Sequence, residues 1–500
     1  MIRRREVLVG LGAVALGVIG LLLAAGPSTS HTELAAAGMS RSVQPVEAGN
    51  PGRGEPAPRA SQPQQVAGQP AAGEVREFSL TVGRMRWELA PGEVTEAYAY
   101  NGQMPGPELR VKEGDTVRVR VTNALGEPTT IHWHGVDVPA GMDGVPGLSQ
   151  EPIAPGSTFT YEFVAKPAGT RWYHAHVNEL VQQGGGLAGA LIIEPRESTS
   201  ASEREYVVMA QQWLRSSGER PSGESPGMGM SRMDGDRSSE DDRFTVNGKA
   251  YPNATPLVVR QGERVRLRLI NAGTTATQVF ALAGHQLIVT HTDGNALSVP
   301  VPVDTVPLGV GERADVEFLA SSPGRWQLGS ISSGQADRGL GIDVVYQGHE
   351  ADPVQYPALG DLQLASYSAM TAGPLPTTKP DRTFELVLSG GMMSNSGAWT
   401  INGRSYPGTE PLDVRPGERV RVRMINMSME DHPMHLHGHT FQIVAIGDRP
   451  VAGPFKDTLT LRHMDSYDVE FVAANPGQWL FHCHNLEHMM GGLMTEVRYQ

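Results

Sequence analysis

The residues best suited to chemistry lie in one stretch, Phe481 to Met494, reading FHCHNLEHMMGGLM. It holds the single cysteine of the sequence, Cys483, with His482 and His484 on either side and His488 five residues on. A lone thiol forms no internal disulfide, and three imidazoles around it favour a metal ligand over an inert core residue. The run Gly477 to Phe481 is apolar and aromatic, which predicts a buried strand leading into the motif. Successive strand residues point to opposite faces. His482 and His484 would therefore share one face while Cys483 points out of the other, so that two metal centres are joined by a few covalent bonds. A thiolate with two imidazoles and a weak or absent axial donor is the composition of a blue-copper electron-transfer site.

Three further clusters stand out among the sixteen histidines: His132-Trp133-His134, His174-Ala175-His176, and the run from His432 through His435 to His437. Any one pair could be two solvated or core histidines on a strand. Four clusters together repeat a strand-face spacing suited to imidazole ligands. With this set the chain resembles the multicopper oxidases, the family of laccases, ascorbate oxidase, ferroxidases and bacterial cuprous oxidases, and in particular the bacterial three-domain laccase and cuprous oxidase type. The resemblance runs from about residue 77 to the end.

The elements that must position these residues come as an internal repeat. Asn101-Gly102, Asn247-Gly248 and Asn402-Gly403 each open a turn, a short strand, a second turn at Gly-Asp or Gly-Glu, and a strand alternating Val or Leu with Arg. That alternation predicts a half-buried antiparallel strand, and three copies predict an all-β chain of three β-sandwiches with Greek-key topology. The resemblance makes these cupredoxin domains, placed at 77–197, 203–348 and 380–500, with a connector at 349–379. Nine and eleven residues after Asn123 stand His132 and His134, and the same steps from Asn426 reach His435 and His437. From Asn271 they reach Phe280 and Leu282. Likewise His174 and His176 follow Gly169, and His482 and His484 follow Gly477, whereas Gly329 and Ile331 follow Gly324. The middle copy is thus expected to be a spacer without copper ligands, and His285, His291 and His349 to be structural or solvated.

Carried over by resemblance, His432, Cys483 and His488 are type 1 copper ligands, with Leu493 at the axial position that many bacterial relatives fill with methionine. His132 and His435 match the type 2 pair. His134, His174 and His484 match one type 3 copper, and His176, His437 and His482 the other, giving four coppers per chain. The resemblance implies one-electron oxidation of a reductant at the type 1 site and four-electron reduction of dioxygen to water at the other three. Cys483, His482 and His484 form the path between them, and Asp143 is the family acid near the type 2 copper. The second family acid position holds Met489, leaving Glu487 as a substitute.

For the reductant, Met228, Met230 and Met233, followed by Asp234 and Asp236, offer thioethers for Cu(I) and carboxylates for Fe(II). More methionines cluster near the type 1 motifs, at Met427, Met429, Met434, Met464, Met489 and Met490. A metal ion is the expected reductant, with phenols beside it; a laccase acting mainly on phenols is the close alternative. A copper nitrite reductase lacks a paired type 3 set, and a noncatalytic scaffold should have lost ligands in every domain. The net charge of −13 argues against nucleic acid as a partner. Residues 1–25, with Arg3 to Arg5 before an uncharged apolar run, read as a twin-arginine-like export signal. Residues 26–76 read as a disordered Pro/Gly/Ala-rich spacer. The expectation is an exported monomer in the periplasm or cell exterior, touching membrane only through the apolar segment if it is retained.

Overall fold

In the computed structural model the described residues are 73–197, 202–214, 242–331, 338–357, 365–391 and 397–500. The expected export signal, most of the expected spacer, and Met228, Met230, Met233, Asp234 and Asp236 lie outside them.

Each repeat starts on the same backbone device. Asn101, Asn247 and Asn402 have φ of 54°, 50° and 52°, and the glycine after each is also left-handed. Two consecutive left-handed residues reverse the chain tightly; glycine adopts that conformation freely and asparagine tolerates it. The three asparagine side chains then do the same work. Nδ2 donates to the carbonyls of Ser79, Val207 and Glu385, and Oδ1 accepts from the amides of Thr81, Met209 and Val387. Each turn is thereby pinned to the first strand of its own sandwich.

The alternating segments form the strands Thr116–Asn123, Arg264–Asn271 and Arg419–Asn426. Val117, Val119 and Val121 face the core, as do Val420, Val422 and Met424 in the third copy. These strands are antiparallel to one neighbour only. On the other side each pairs in parallel with the opening strand of its sandwich: Val75–Ala90, Arg204–Trp213 or Arg382–Gly390. In the middle copy both faces are buried, against the expectation of a half-buried strand. Arg266 and Arg268 turn inward onto Asp315, and Arg268 also donates to Thr170 of the first sandwich at 2.8 Å. The face that faces water in the other copies here meets a neighbouring sandwich.

The first sandwich has two four-stranded sheets, the middle one two six-stranded sheets, and the third a seven-stranded and a five-stranded sheet. One continuous apolar cluster runs through the first and third sandwiches, from Trp133, Phe163 and Leu191 to Trp479, Phe481 and Val497, and a separate one fills the middle. Two histidines that carry no metal motif serve this packing. His285 in the middle sandwich and His439 in the third each bond a carbonyl through Nδ1 and a tyrosine hydroxyl, of Tyr346 and Tyr499, through Nε2 at 2.6 Å.

Candidate metal centre

Strand register brings the histidine motifs together. In the first sandwich His132–His134 pairs with Gly169–His174 so that His132 lies opposite His174. In the third, His432–Leu436 pairs with Gln478–Cys483, setting His435 opposite His482 and Met434 opposite Cys483. The two pairs of strands face each other across the join between the sandwiches, and all eight histidines of the cluster are buried.

Among the described residues four groups of His and Cys result, each with its donor atoms within 4.8 Å of one another: His132, His134 and His435; His134, His174 and His484; His176, His437 and His482; and His432, Cys483 and His488; a fifth joins His132 and His437 to the Asp143 carboxylate. His132 Nε2 and His435 Nε2 lie 3.4 Å apart, and His437 Nε2 and His482 Nε2 3.0 Å. In the cysteine group, Sγ is 3.7 Å from Nδ1 of both His432 and His488. Cys483 points away from the eight-histidine cluster, while its neighbours His482 and His484 point into it.

On seven of the eight rings the outer nitrogen is held, which fixes the tautomer and aims the other nitrogen inward. Backbone carbonyls hold His132 (Asp143), His174 (Ala175), His435 (Asp457) and His482 (Cys483). Carboxylates hold three others. Nδ1 of His437 donates to Asp143 Oδ2 at 2.8 Å, Nδ1 of His176 to Glu179 Oε1 at 2.7 Å, and Nε2 of His134 to Asp457 Oδ1 at 3.1 Å. Asp143 also caps the short 3-10 turn Ala140–Met142, so the turn role and the site role belong to one residue.

These contacts leave inward nitrogens without a protein partner. His134 Nδ1, His174 Nε2, His176 Nε2 and both nitrogens of His484 are buried and unbonded. An orphaned buried polar atom costs about 1–3 kcal/mol, so the protein carries a deficit that a cation at these positions removes. The rings are also in the right state. Burial, then neighbouring imidazoles, holds His134, His174, His437, His482 and His484 well below the usual histidine range. Burial, then His488, holds His432 down to about 3. Neutral imidazoles with free lone pairs are what ligation requires. Only His176 moves upward, because Glu179 outweighs its burial. Burial pushes the Cys483 thiol well above its usual range, so the thiolate needs a cation beside it to form. The donor set and these orphaned atoms fit copper.

Family models described as multicopper oxidase match residues 81–198, 204–339 and 377–500. The chain belongs to the multicopper oxidase family. It is 31% identical to the multicopper oxidase MmcO of Mycobacterium tuberculosis over 459 residues, covering 87% of this chain and 89% of that protein. It is 28% identical to a copper resistance protein A homolog of Pseudomonas syringae pv. tomato, over 87% of this chain and 94% of the relative. Among solved structures, a multi-copper oxidase from Pseudomonas thermotolerans shares 32% identity at a TM-score of 0.67, covering 86% of this chain and all of that one. The chain is therefore an oxidoreductase with oxygen as acceptor, built on cupredoxin-like sandwiches.

Several residues of this multicopper oxidase's site carry no motif in the sequence. Ser428 Oγ bonds His432 Nε2 at 2.7 Å, and Glu430 Oε2 accepts from His488 Nε2 at 3.0 Å. The Trp399 ring packs on His488 with centroids 4.1 Å apart. Glu179 is buried beside His176, whereas Glu487 is exposed on the helix Leu486–Met490. Its only sequence signal was an acid three residues after a ligand-type histidine. Leu493 is buried in the same apolar cluster as Cys483, and its carbonyl accepts from the Cys483 amide at 3.0 Å; Met490 is 62% exposed.

The middle sandwich, expected as a spacer, takes part in the site, although none of its described residues supplies a donor. Arg313 grips Asp457 with two bonds of 2.7 and 2.6 Å, and Asp457 in turn holds His134. Burial raises the Asp457 carboxyl, but Arg313 outweighs it and holds the group well below the usual carboxylate range. Two residues earlier, Gly311 at φ 86° lies so close to the cluster that a Cβ there would stand 3.0 Å from His484 Cδ2 and 3.1 Å from His134 Cε1.

Proposed function

We propose that this protein is a copper-dependent oxidase holding four coppers. His432, Cys483 and His488 bind the type 1 ion, and His132 and His435 the type 2 ion. His134, His174 and His484 bind one type 3 ion, and His176, His437 and His482 the other. The observation that carries the reading is the shared strand: Cys483 belongs to one donor group while the residues bonded to it on both sides belong to the cluster. Copper held by these residues would supply one-electron oxidation of the reductant and the four-electron, four-proton reduction of dioxygen to two waters.

The chain's own residues set the conditions. Cys483, with its peptide bonds to His482 and His484, is the covalent link from one group to the other. Ser428 orients His432, and Leu493, buried in the same apolar cluster as Cys483, would offer hydrocarbon rather than a donor to an ion held there, which would favour its reduced state. Asp143 Oδ2 faces the His437 Nδ1 proton and Oδ1 lies 3.2 Å from His132, the placement of an acid that passes protons to the cluster. Glu430, half exposed and bonded to His488, marks the face where the reductant docks.

We infer that the reductant is a soft metal ion, Cu(I) before Fe(II). Four methionines on the rim of the type 1 group are solvent-facing: Met427 at 48%, Met429 at 63%, Met464 at 62% and Met490 at 62%. Large apolar side chains are normally drawn inward, and thioethers suit Cu(I). The segments carrying three of them are tied together, Met464 through its amide to the Asn426 carbonyl and His463 through Nδ1 to the Ser428 carbonyl. Met228, Met230, Met233, Asp234 and Asp236 extend the proposed docking set. The nearby Asp242 is buried and bonded to Gln212 at 2.6 Å, which places it outside the docking set. The phenol-oxidising reading has its own support, since the Glu430 carboxylate beside His488 can take a phenol's proton. Export through residues 1–25 to the periplasm or cell exterior, and action as a monomer, complete the proposal.

Oxygen uptake by copper-loaded protein with Cu(I), Fe(II) and a dimethoxyphenol, with the visible spectrum of the same sample, tests this. A blue thiolate band with Cu(I) preferred at least tenfold in kcat/KM, about 1.4 kcal/mol of discrimination, is the expected result. A tenfold preference for the phenol makes the protein a laccase. No blue band and no oxygen uptake sinks the copper assignment. Deleting residues 228–240, and separately replacing Met429 and Met490 with Ala, should raise the KM for Cu(I) and leave the phenol unaffected.

A further inference from the structure

Resting on the copper assignment above, the two type 3 positions differ in what stands behind their histidines. At the position of His134, His174 and His484, one carboxylate backs the set, Asp457, and that group is already bound by Arg313 on two bonds with Arg171 Nη1 at 3.5 Å. At the position of His176, His437 and His482, two carboxylates do so, Glu179 and Asp143, and among the described residues neither forms an ion pair with lysine or arginine. A carboxylate accepting from the outer N–H of a ligating imidazole makes the inner nitrogen a better donor.

Glu179 is placed for this with little freedom. After His176 the chain passes through Asn178, in the left-handed region at φ 45°, into a single helical turn, Glu179–Gln182. That geometry folds the first side chain of the turn back onto the histidine three residues earlier. The turn is fixed from two sandwiches: Gln182 accepts from Thr129 Oγ1 at 2.8 Å and donates to the Pro128 carbonyl, and Gln183 donates to the Gly273 carbonyl of the middle sandwich at 2.8 Å. Glu179 Oε1 takes the His176 proton at 2.7 Å, and Oε2 is buried without a partner. His176 Nε2, at the other end of the ring, is likewise buried and unbonded. Every contact of the ring therefore aims that nitrogen at the metal position.

We propose that Glu179 is a positioning residue for the type 3 copper held by His176, His437 and His482, and that it makes this position the slower of the two to give up its ion. Its effect passes through His176.

The test uses fully loaded protein as parent, Glu179→Gln and Glu179→Leu. Glutamine keeps the size and an acceptor oxygen but not the charge; leucine keeps neither. Copper per chain is followed by mass spectrometry during timed exposure to a chelator, with the blue band and the near-ultraviolet band of the coupled pair recorded alongside. Melting temperatures of the copper-free proteins are compared as a check on fold. The expected result is that Glu179→Leu gives up one copper about 10–100-fold faster than the parent, with Glu179→Gln intermediate and at least threefold faster. The blue band should be untouched and the copper-free melting point of Glu179→Gln unchanged. A merely structural role would move the melting point and the blue band with the copper. The decision rests on Glu179→Gln: release at less than three times the parent's rate, or faster release only in step with a lowered copper-free melting point, overturns the proposal. A parent that binds no blue copper or fewer than four ions overturns the copper assignment itself, a result visible before any variant is made.

Discussion

Replacing Arg313 with methionine tests whether the middle sandwich holds the cluster together. Arg313 is buried and uses its whole donor set. It makes the two bonds to Asp457 and donates to the carbonyls of Gly311 at 3.1 Å, Asp293 at 3.2 Å and Thr170 at 3.2 Å. Methionine fills similar volume and makes none of these. Asp457 would keep Arg171, at 3.5 Å, as its nearest cation. Breaking one side of a buried pair costs about 3–5 kcal/mol, because the remaining charge stays desolvated. If roughly 430 residues unfold together with an entropy of about 2.1 cal/mol/K each, that cost lowers the melting temperature by about 3–6 °C. Calorimetry of copper-free protein at pH 7 measures it, on the parent, Arg313→Met, Asp457→Asn and the double variant. The double variant should cost at least about 1 kcal/mol less than the two single costs added, as partners in one network do. A melting point within 1 °C of the parent, or strict additivity, would refute the reasoning.

Three further outcomes follow from the same geometry. The cluster histidines are held neutral below their unfolded pKa of about 6.5, so the unfolded chain binds more protons between the two values and stability is lost as pH falls below about 6.5. At up to about 1.4 kcal/mol per pH unit for each such histidine, copper-free protein should unfold steeply between pH 6 and 5 while loaded protein, followed by circular dichroism, does not; identical acid profiles would contradict this. Gly311→Ala puts a methyl against His134 and His484 at a left-handed φ, a cost of about 1–3 kcal/mol. Copper content should drop with the blue band retained, and a fully loaded variant would show the turn is looser than described. Leu493→Met adds a thioether at the proposed axial position and should lower the type 1 potential in a redox titration; an unchanged potential and spectrum would mean residue 493 does not face the metal.

The proposed donors could be picked out in the sequence because ligand chemistry limits the choice to His and Cys, and strand geometry fixes their spacing at two. Counting from Asn123, Asn271 and Asn426 has a physical basis. Each asparagine ends its strand buried and donates from Nδ2 to one carbonyl of the following loop, of Glu127, Ala276 or Glu430, and to one much further along, of Ile153, Leu308 or Leu461, so the start of the next segment is set by the same bonds in each sandwich. What stayed hidden depends on contacts between sandwiches. Arg313 and Asp457 are far apart in the chain and look like ordinary charged residues. Arg266 and Arg268 carry the alternation of an exposed strand yet lie buried, because the pattern records one sandwich and not its neighbour. Glu179 could have been noticed as an acid in i,i+3 spacing from His176, but only a helical turn directly after the motif gives that spacing its meaning.

Gly311 has a consequence for how the protein is made. The cluster's donors begin at His132 and end at His484, and the turn that lies over two of them belongs to the sandwich between. No single sandwich, and no partial chain ending before the HCH motif, can hold the proposed three-copper set. Loading of the proposed cluster would therefore follow synthesis and docking of all three sandwiches, protein first and copper second.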